Sequence, residues 1–343
     1  MLTSKDWIIT MNKVFIYKNY NNIEVLMKYL DVIKSAFEKE GFVCQYINSV
    51  KNIDKKSIIV FPMAIDAFKY YFKGYKNIVI WQQGATADES FMRHHSQARK
   101  IVLNLIDCYM MKKSKIVFFV SEYMKKYYEC LSKQIFENKS YIMPCYNEEL
   151  NSSIFFEKDY SKNVFGYVGS LDLWQCFDQV AKLYKKIEDK YTDVKIKVLT
   201  FDVDRAETIL DKYGVKNSIV KCVPKEEVVN ELKEVKYGFV LRDNNIVNRV
   251  ATPTKLSSYL SAGVIPIFST CLDDFYRISK LIKYTIPADT NGDFKTVFDG
   301  LKVEVSVEEI EKEYRTVFDT YYNTEQHTNN IRKLIRKVFN ENI

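Results

Sequence analysis

The chain has 343 residues, longer than a single hydrophobic core ordinarily serves, which points to two domains. Hydrophobic residues at 47% and charged ones at 28% are the proportions of a globular protein, and no apolar run reaches the roughly 18 residues needed to span a bilayer. The net charge of +7 is uneven: residues 1–150 hold 22 Lys and Arg against 15 Asp and Glu, whereas the other 193 hold 29 of each. A basic first half suits an anionic partner such as a lipid headgroup, a pyrophosphate-linked acceptor or nucleic acid, although lysine-rich solvated helix faces give the same count. Seven scattered cysteines lack the close spacing of a zinc or redox pair, so reduced thiols and a cytoplasmic setting are expected. Met1–Thr10 has no long apolar core of a secretory signal and reads as an upstream start or a short tail.

From Val14 onward the pattern is strand then helix. Apolar runs at 14–17, 42–47, 57–61, 77–81, 116–120 and 141–143 predict six strands. Amphipathic stretches predict helices near 22–39 and 88–112, and Ser121 is placed to cap a third. The segment 147–163 is polar and aperiodic, and at its core 151–163 reads as a linker between an N-terminal domain, 11–150, and a second one, 164–306. The alternation then restarts, with strands at 164–168, 194–201, 218–223, 237–241 and 264–268. Helices are predicted at 177–189, 204–213 and 253–262, and Pro224 suits the first turn of another. From Val307 to the end the chain is charged and helical, and this terminal part could cross back onto the first half. Continuous apolar strands alternating with helices imply an α/β fold: two Rossmann-like, doubly wound parallel sheets. Such sheets bind ligands beyond the carboxyl ends of their strands, so two of them facing each other would form a cleft.

The densest chemical signal lies between Tyr237 and Thr270. A strand ends in Arg242 and Asp243, a polar loop carries Asn248 and Arg249, and Thr252-Pro253-Thr254-Lys255 opens a helix that Gly263 closes. A helix N-terminus offers unpaired N–H groups and partial positive charge to a phosphate. Lys255 stands at the end where the dipole disfavours a cation, a local conflict that an anion site would explain. Arg242 and Arg249 could add bidentate contacts to a diphosphate.

The run PTKLSSYLSAGVIPI resembles the donor-binding helix of GT-B glycosyltransferases, in particular the retaining, family-4-like enzymes of bacterial surface-polysaccharide synthesis. Their pattern P-x-K-x-x-E-Y-x-x-x-G, followed by V-P-I, is matched at Pro253, Lys255, Tyr259 and Gly263. The family's ribose-binding glutamate falls at Ser258, a departure that implies rearranged ribose recognition, a different donor or weaker affinity. A second match, FGYVGSLDLWQ, sets Gly166, Gly169 and Ser170 at a strand-to-helix turn where small residues let backbone approach phosphate, with Gln175 as the accompanying side chain and Trp174 as a pocket wall or packing. No GxGxxG follows either first strand, which argues against a nicotinamide enzyme. FFVSEYMKKYYE with YIMPCYN echoes the end of the family's acceptor domain, and the main chain of Val223 falls where the nucleobase is bracketed.

For the reacting end, Gln83 and Gly84 close a strand and suit an acceptor sugar. Asp88 and Glu89 are candidate carboxylates, although acids are also favoured by the dipole in a first helical turn. Of His94 and His95 at most one can face a cleft. Asp202-Val203-Asp204 spells a metal-binding D-x-D pair but stands far in order from the phosphate helix, so no metal is expected. The resemblance implies transfer of a sugar from a nucleoside diphosphate-sugar, a UDP-sugar by expectation, to a saccharide or lipid-linked acceptor. It further implies metal-independent and retaining chemistry, no cofactor, and a cytoplasmic protein that could touch an anionic membrane face through its basic half. Nucleic acid is not expected, and a sugar-nucleotide epimerase would need a carboxylate–histidine set that three histidines do not supply. The alternative is a non-catalytic GT-B homologue serving as a subunit of a glycosylation complex, for which Ser258 speaks.

Overall fold

The computed structural model describes residues 13–19, 24–289 and 294–340. The tail at 1–10 lies outside the described residues. Two compact units divide the chain: Met1–Cys145 with Asn323–Ile343, and Tyr146–Tyr322.

In the first unit the elements run β1 (Lys13–Tyr17), α1 (Glu24–Glu38), β2 (Val43–Ile47), β3 (Ile58–Phe61), α2 (Ala64–Phe72), β4 (Ile78–Gln82), α3 (Thr86–His94), α4 (Gln97–Lys113), β5 (Ile116–Phe119), α5 (Glu122–Ser132) and β6 (Ser140–Ile142). The six strands form one parallel sheet in the order β2-β1-β3-β4-β5-β6. The central β3, β4 and β5 are buried throughout, as their continuous apolar runs require, whereas the edges β2 and β6 are partly exposed. The single helix expected over 88–112 is two: His95 adopts a left-handed conformation (φ 53°), and Ser96 caps the next helix by accepting from the Arg99 N–H. Ser121 caps α5 as expected, accepting from the Met124 N–H at 2.9 Å.

The second unit runs α6 (Ser152–Glu157), β7 (Asn163–Val168), α7 (Phe177–Lys190), β8 (Val194–Leu199), α8 (Val203–Lys212), β9 (Ser218–Lys221), β10 (Tyr237–Val240), α9 (Ile246–Val250), α10 (Thr254–Ser261), β11 (Ile265–Ser269), α11 (Asp273–Ser279), β12 (Ile286–Ala288) and α12 (Val307–Thr320). Its parallel sheet has the order β12-β11-β10-β7-β8-β9, the doubly wound dinucleotide-fold order read from its far edge. The segment 151–163 differs from the expected linker. It carries α6, buries Ile154 and Phe155, and sends the Lys158 ammonium inward to the carbonyls of Leu232 and Val235. Gly238 is needed where it stands, because a Cβ there would lie 2.6 Å from the Tyr259 ring that packs α10 under the sheet.

The chain then returns to the first unit as α13 (Thr324–Ile335). Arg332 and Arg336 both hold the buried Glu40 carboxylate, at 2.7 and 2.5 Å, and keep it below the usual carboxylate range, Arg336 contributing most. The Tyr141 hydroxyl meets His327 Nδ1 at 2.8 Å. Among the described residues no helix is long and apolar enough to cross a membrane.

Candidate functional site

In the second sheet the strand order reverses between β7 and β10, the position at which open α/β sheets bind ligands beyond their strand ends. Three of the sequence-selected residues converge there. Arg242 follows β10 after one intervening residue, Lys255 stands in the first turn of α10, and Gln175 precedes α7. Arg242 is 2% exposed and Lys255 8%. The Lys255 ammonium donates to Gln175 Oε1 at 2.9 Å, and Arg242 donates to the same oxygen at 2.5 Å and to the Gln175 carbonyl at 3.0 Å. Lys255 also lies 4.1 Å from the centre of the Tyr167 ring, a cation–π contact. Gly169, at φ +118°, leaves the space over this corner open: a Cβ there would stand 3.5 Å from the Lys255 nitrogen.

The electrostatics of this corner are unbalanced. Neither cation makes an ion pair among the described residues, and the acceptor they share is a neutral amide. Burial first, and the neighbouring Arg242 second, push Lys255 well below the ordinary lysine range; burial likewise lowers Arg242. Lys197, by contrast, is held by Glu231 and Glu234, while Lys158 faces only the Leu232 and Val235 carbonyls and burial pushes it down to about 7. Lys255 sits at a helix start. A dianionic group placed against Arg242 and Lys255 would supply the missing charge.

The other expected donor contacts are arranged differently. Arg249 is engaged by Asp273 through two bonds, at 2.9 and 3.2 Å, and lines a polar cavity of about 200 Å³ with Asn244, Thr270, Cys271 and Asp289. Asn248 is buried and holds its own loop, donating from its side chain to the Asp243 carbonyl and from its N–H to the Asn245 side chain. Ser258 donates to Asn147 Oδ1 at 3.1 Å, as Ser257 does at 2.8 Å, so the two serines tie α10 to residue 147. Tyr259 is wholly buried and accepts from the Val168 N–H. Ser170 donates to Asp172, Pro253 precedes α10 and Thr254 opens it, and Val223 is half-buried just beyond β9. Asp202 pairs with Arg205 on the surface at 3.5 Å.

In the first unit, Gln83 donates to the Pro62 carbonyl at 3.0 Å, and Gly84 has the Glu89 carboxylate packed against it. Asp88 is buried between Lys100, at 2.7 Å, and the Tyr127 hydroxyl, at 2.5 Å, and His94 is exposed. One group escaped the sequence reading. Asp107 on α4 is 1% exposed, accepts from Tyr128, and has its other oxygen without a partner. Burial raises it to about 7. Tyr128 in turn accepts from Gln82, so Gln82, Tyr128 and Asp107 form an internal polar chain behind the strand end.

No known protein family profile and no curated protein sequence matches the chain. Solved structures do resemble it. Sucrose-phosphate synthase from Thermosynechococcus elongatus superposes with a TM-score of 0.63 at 12% identity, over 96% of this chain and 99% of that one. The lipopolysaccharide outer core galactosyltransferase WaaB gives 0.56 at 14% identity, over 93% and 98%. A Staphylococcus aureus TarM variant, solved with fondaparinux, alpha-GlcNAc-glycerol and UDP, gives 0.56 at 12% identity, over 84% of this chain but only 56% of TarM. The chain therefore spans little more than half the length of TarM. Two parallel six-stranded sheets with these neighbours define the fold as GT-B.

Proposed function

We propose that the protein is a glycosyltransferase that takes a sugar from a nucleoside diphosphate-sugar, a UDP-sugar by preference, and passes it to a saccharide or lipid-linked acceptor in bacterial cell-surface glycan synthesis. The observation that carries this is the pair Arg242–Lys255, two buried cations sharing one neutral oxygen at the sheet's switch point. In this reading the donor diphosphate lies against that pair and Gly169. As the bond between the sugar's anomeric carbon and the diphosphate breaks, negative charge grows on the leaving oxygens. Prearranged cations in a dry corner stabilise that charge without reorganising, and no metal is needed for the task. Retention of configuration and the cytoplasmic, membrane-side setting follow from the resemblance to surface-polysaccharide enzymes. The UDP bound in the TarM structure supports the choice of base.

One observation favours a second reading. Ser258 and Asn147 occupy each other where the related enzymes place a ribose-binding glutamate, which suits a non-catalytic subunit. A calorimetric panel of UDP, GDP, CMP, dTDP and their sugars distinguishes the two. One nucleotide should bind saturably, and its sugar conjugate should release the diphosphate when acceptor is added. Binding without release favours the subunit. A folded protein that binds none of them refutes the transferase reading and favours the non-catalytic subunit.

A further inference from the structure

Helix α4 has two apolar faces. Leu103, Met110 and Met111 turn inward, while Ile101, Val102 and Leu105 stand on the opposite side, Leu105 being 65% exposed. Beside them on α2 is Phe72, 64% exposed, its ring stacked on Tyr109 of α4 at 5.8 Å. Next to Phe72, the residues Ile101, Val102, Leu105 and Tyr109 of α4, with Phe68 of α2 and Leu131 of α5, line an apolar groove of about 780 Å³. A globular helix ordinarily hides one stripe and wets the other, and a contiguous exposed patch of this kind marks a contact surface.

The charges around it indicate the partner. Arg99, Lys112 and Lys113 on α4 and Lys69, Lys73 and Lys76 on and after α2 are all exposed, and the only acid within α4, Asp107, is buried in the core. Lys76 lies 3.5 Å from the centre of the Tyr71 ring and Lys113 5.9 Å from that of Tyr109, so the aliphatic stems run along the aromatic cluster. A second copy docking through a two-fold axis would bring these lysines against themselves. Apolar side chains ringed by lysines and tyrosines match the headgroup–acyl boundary of an acidic lipid leaflet.

We propose that the α2–α4 face docks on an anionic lipid bilayer, with Ile101, Leu105 and Phe72 inserted and the lysine rim on the lipid phosphates. This deepens the membrane-side part of the reading above and rests on it only for the nature of the acceptor, since the surface is separate from Arg242 and Lys255. The test is co-sedimentation of the full chain with vesicles of phosphatidylcholine alone and of phosphatidylcholine with phosphatidylglycerol. Two variants are compared, Ile101→Glu with Leu105→Glu, and Lys112→Glu with Lys113→Glu, with circular-dichroism melting, gel filtration and nucleotide titration alongside. All four positions are exposed, so both variants are expected to fold and to bind nucleotide as the wild type does. Wild type should bind the anionic vesicles, release them in high salt, and bind at least about tenfold more tightly than either variant. Lys255→Met should bind vesicles like wild type, which separates failure of this proposal from failure of the donor site. Equal binding by wild type and the folded variants, or no binding to anionic vesicles, overturns it. So does a wild-type dimer that the variants convert to monomer, because the face would then be a self-contact.

Discussion

Replacing Lys255 by methionine removes a buried charge while keeping most of the side chain's length. The unliganded protein loses a charged hydrogen bond to Gln175, worth about 1.5–3 kcal/mol, and a ring contact with Tyr167 worth about 2 kcal/mol. It gains relief from the desolvation of an uncompensated ammonium, several kcal/mol in effect, and from the repulsion of Arg242. These nearly cancel, so the fold should keep its stability to within about 1 kcal/mol. Ligand binding is affected differently. A buried cation against a phosphate loses about 2–5 kcal/mol on truncation, at least about 30-fold in Kd. With diphosphate at about 100 times the wild-type Kd, ligand stabilisation falls from about 2.7 to about 0.9 kcal/mol. For a unit the size of Tyr146–Tyr322, that is a thermal shift of about 5–10 °C in wild type against about 2–3 °C in the variant. Scanning fluorimetry with and without UDP measures both quantities. A variant several kcal/mol less stable that binds UDP as wild type does would refute the reasoning, for Lys255 would then be a packing residue.

The charge of Arg249 is already balanced by Asp273, so Arg249→Ala should weaken diphosphate binding by less than about 1 kcal/mol, some fivefold and well short of the Lys255 effect, by titration calorimetry. Because burial depresses Lys255, a growing share of the free protein carries it as the neutral amine as pH rises; a diphosphate that restores the charged form should then draw in a proton, so affinity should fall as pH rises. Calorimetry in two buffers of different ionisation enthalpy, at a pH above about 8 where phosphate itself is fully ionised, should read that proton, and identical enthalpies would deny it. Gly238→Ala should destabilise by about 1–3 kcal/mol in denaturant unfolding, because its methyl meets the Tyr259 ring. Asp107 keeps its proton in the fold up to about pH 7, whereas the unfolded chain loses it near the ordinary value of 3.8. The unfolded state thus binds fewer protons between those values, and stability should decline as pH rises through that window; Asp107→Asn should abolish the decline, while parallel melting profiles would contradict it.

The alternation of strands and helices was readable because buried parallel strands are continuous apolar runs, and β3, β4, β5 and β10 fall within a residue or two of where those runs lie. Short elements were not readable. The three residues of β12 are held by pairing with β11, α6 is too short to show a period, and α9 was taken for a polar loop because its burial depends on neighbours distant in sequence. The helix break at His95–Ser96 was hidden by an amphipathic pattern that runs through it. Lys255, Arg242 and Gln175 were each singled out from local patterns. Their meeting on one oxygen spans 67 and 80 residues and belongs to the folded sheet alone. The pairing of Arg249 with Asp273 and of Ser258 with Asn147 was likewise invisible, since each partner lies in another element. Asp107 carried no signal in the sequence, and only the packing of α4 shows it to be internal.

The most direct test is calorimetric titration of uridine, UMP and UDP into wild type and Lys255→Met. A corner built for a diphosphate should bind UDP at least about 30-fold more tightly than UMP in wild type, with most of that difference gone in the variant. Equal affinity for UMP and UDP, or a UDP preference that Lys255→Met leaves intact, would contradict the assignment of Arg242 and Lys255 to the donor phosphates.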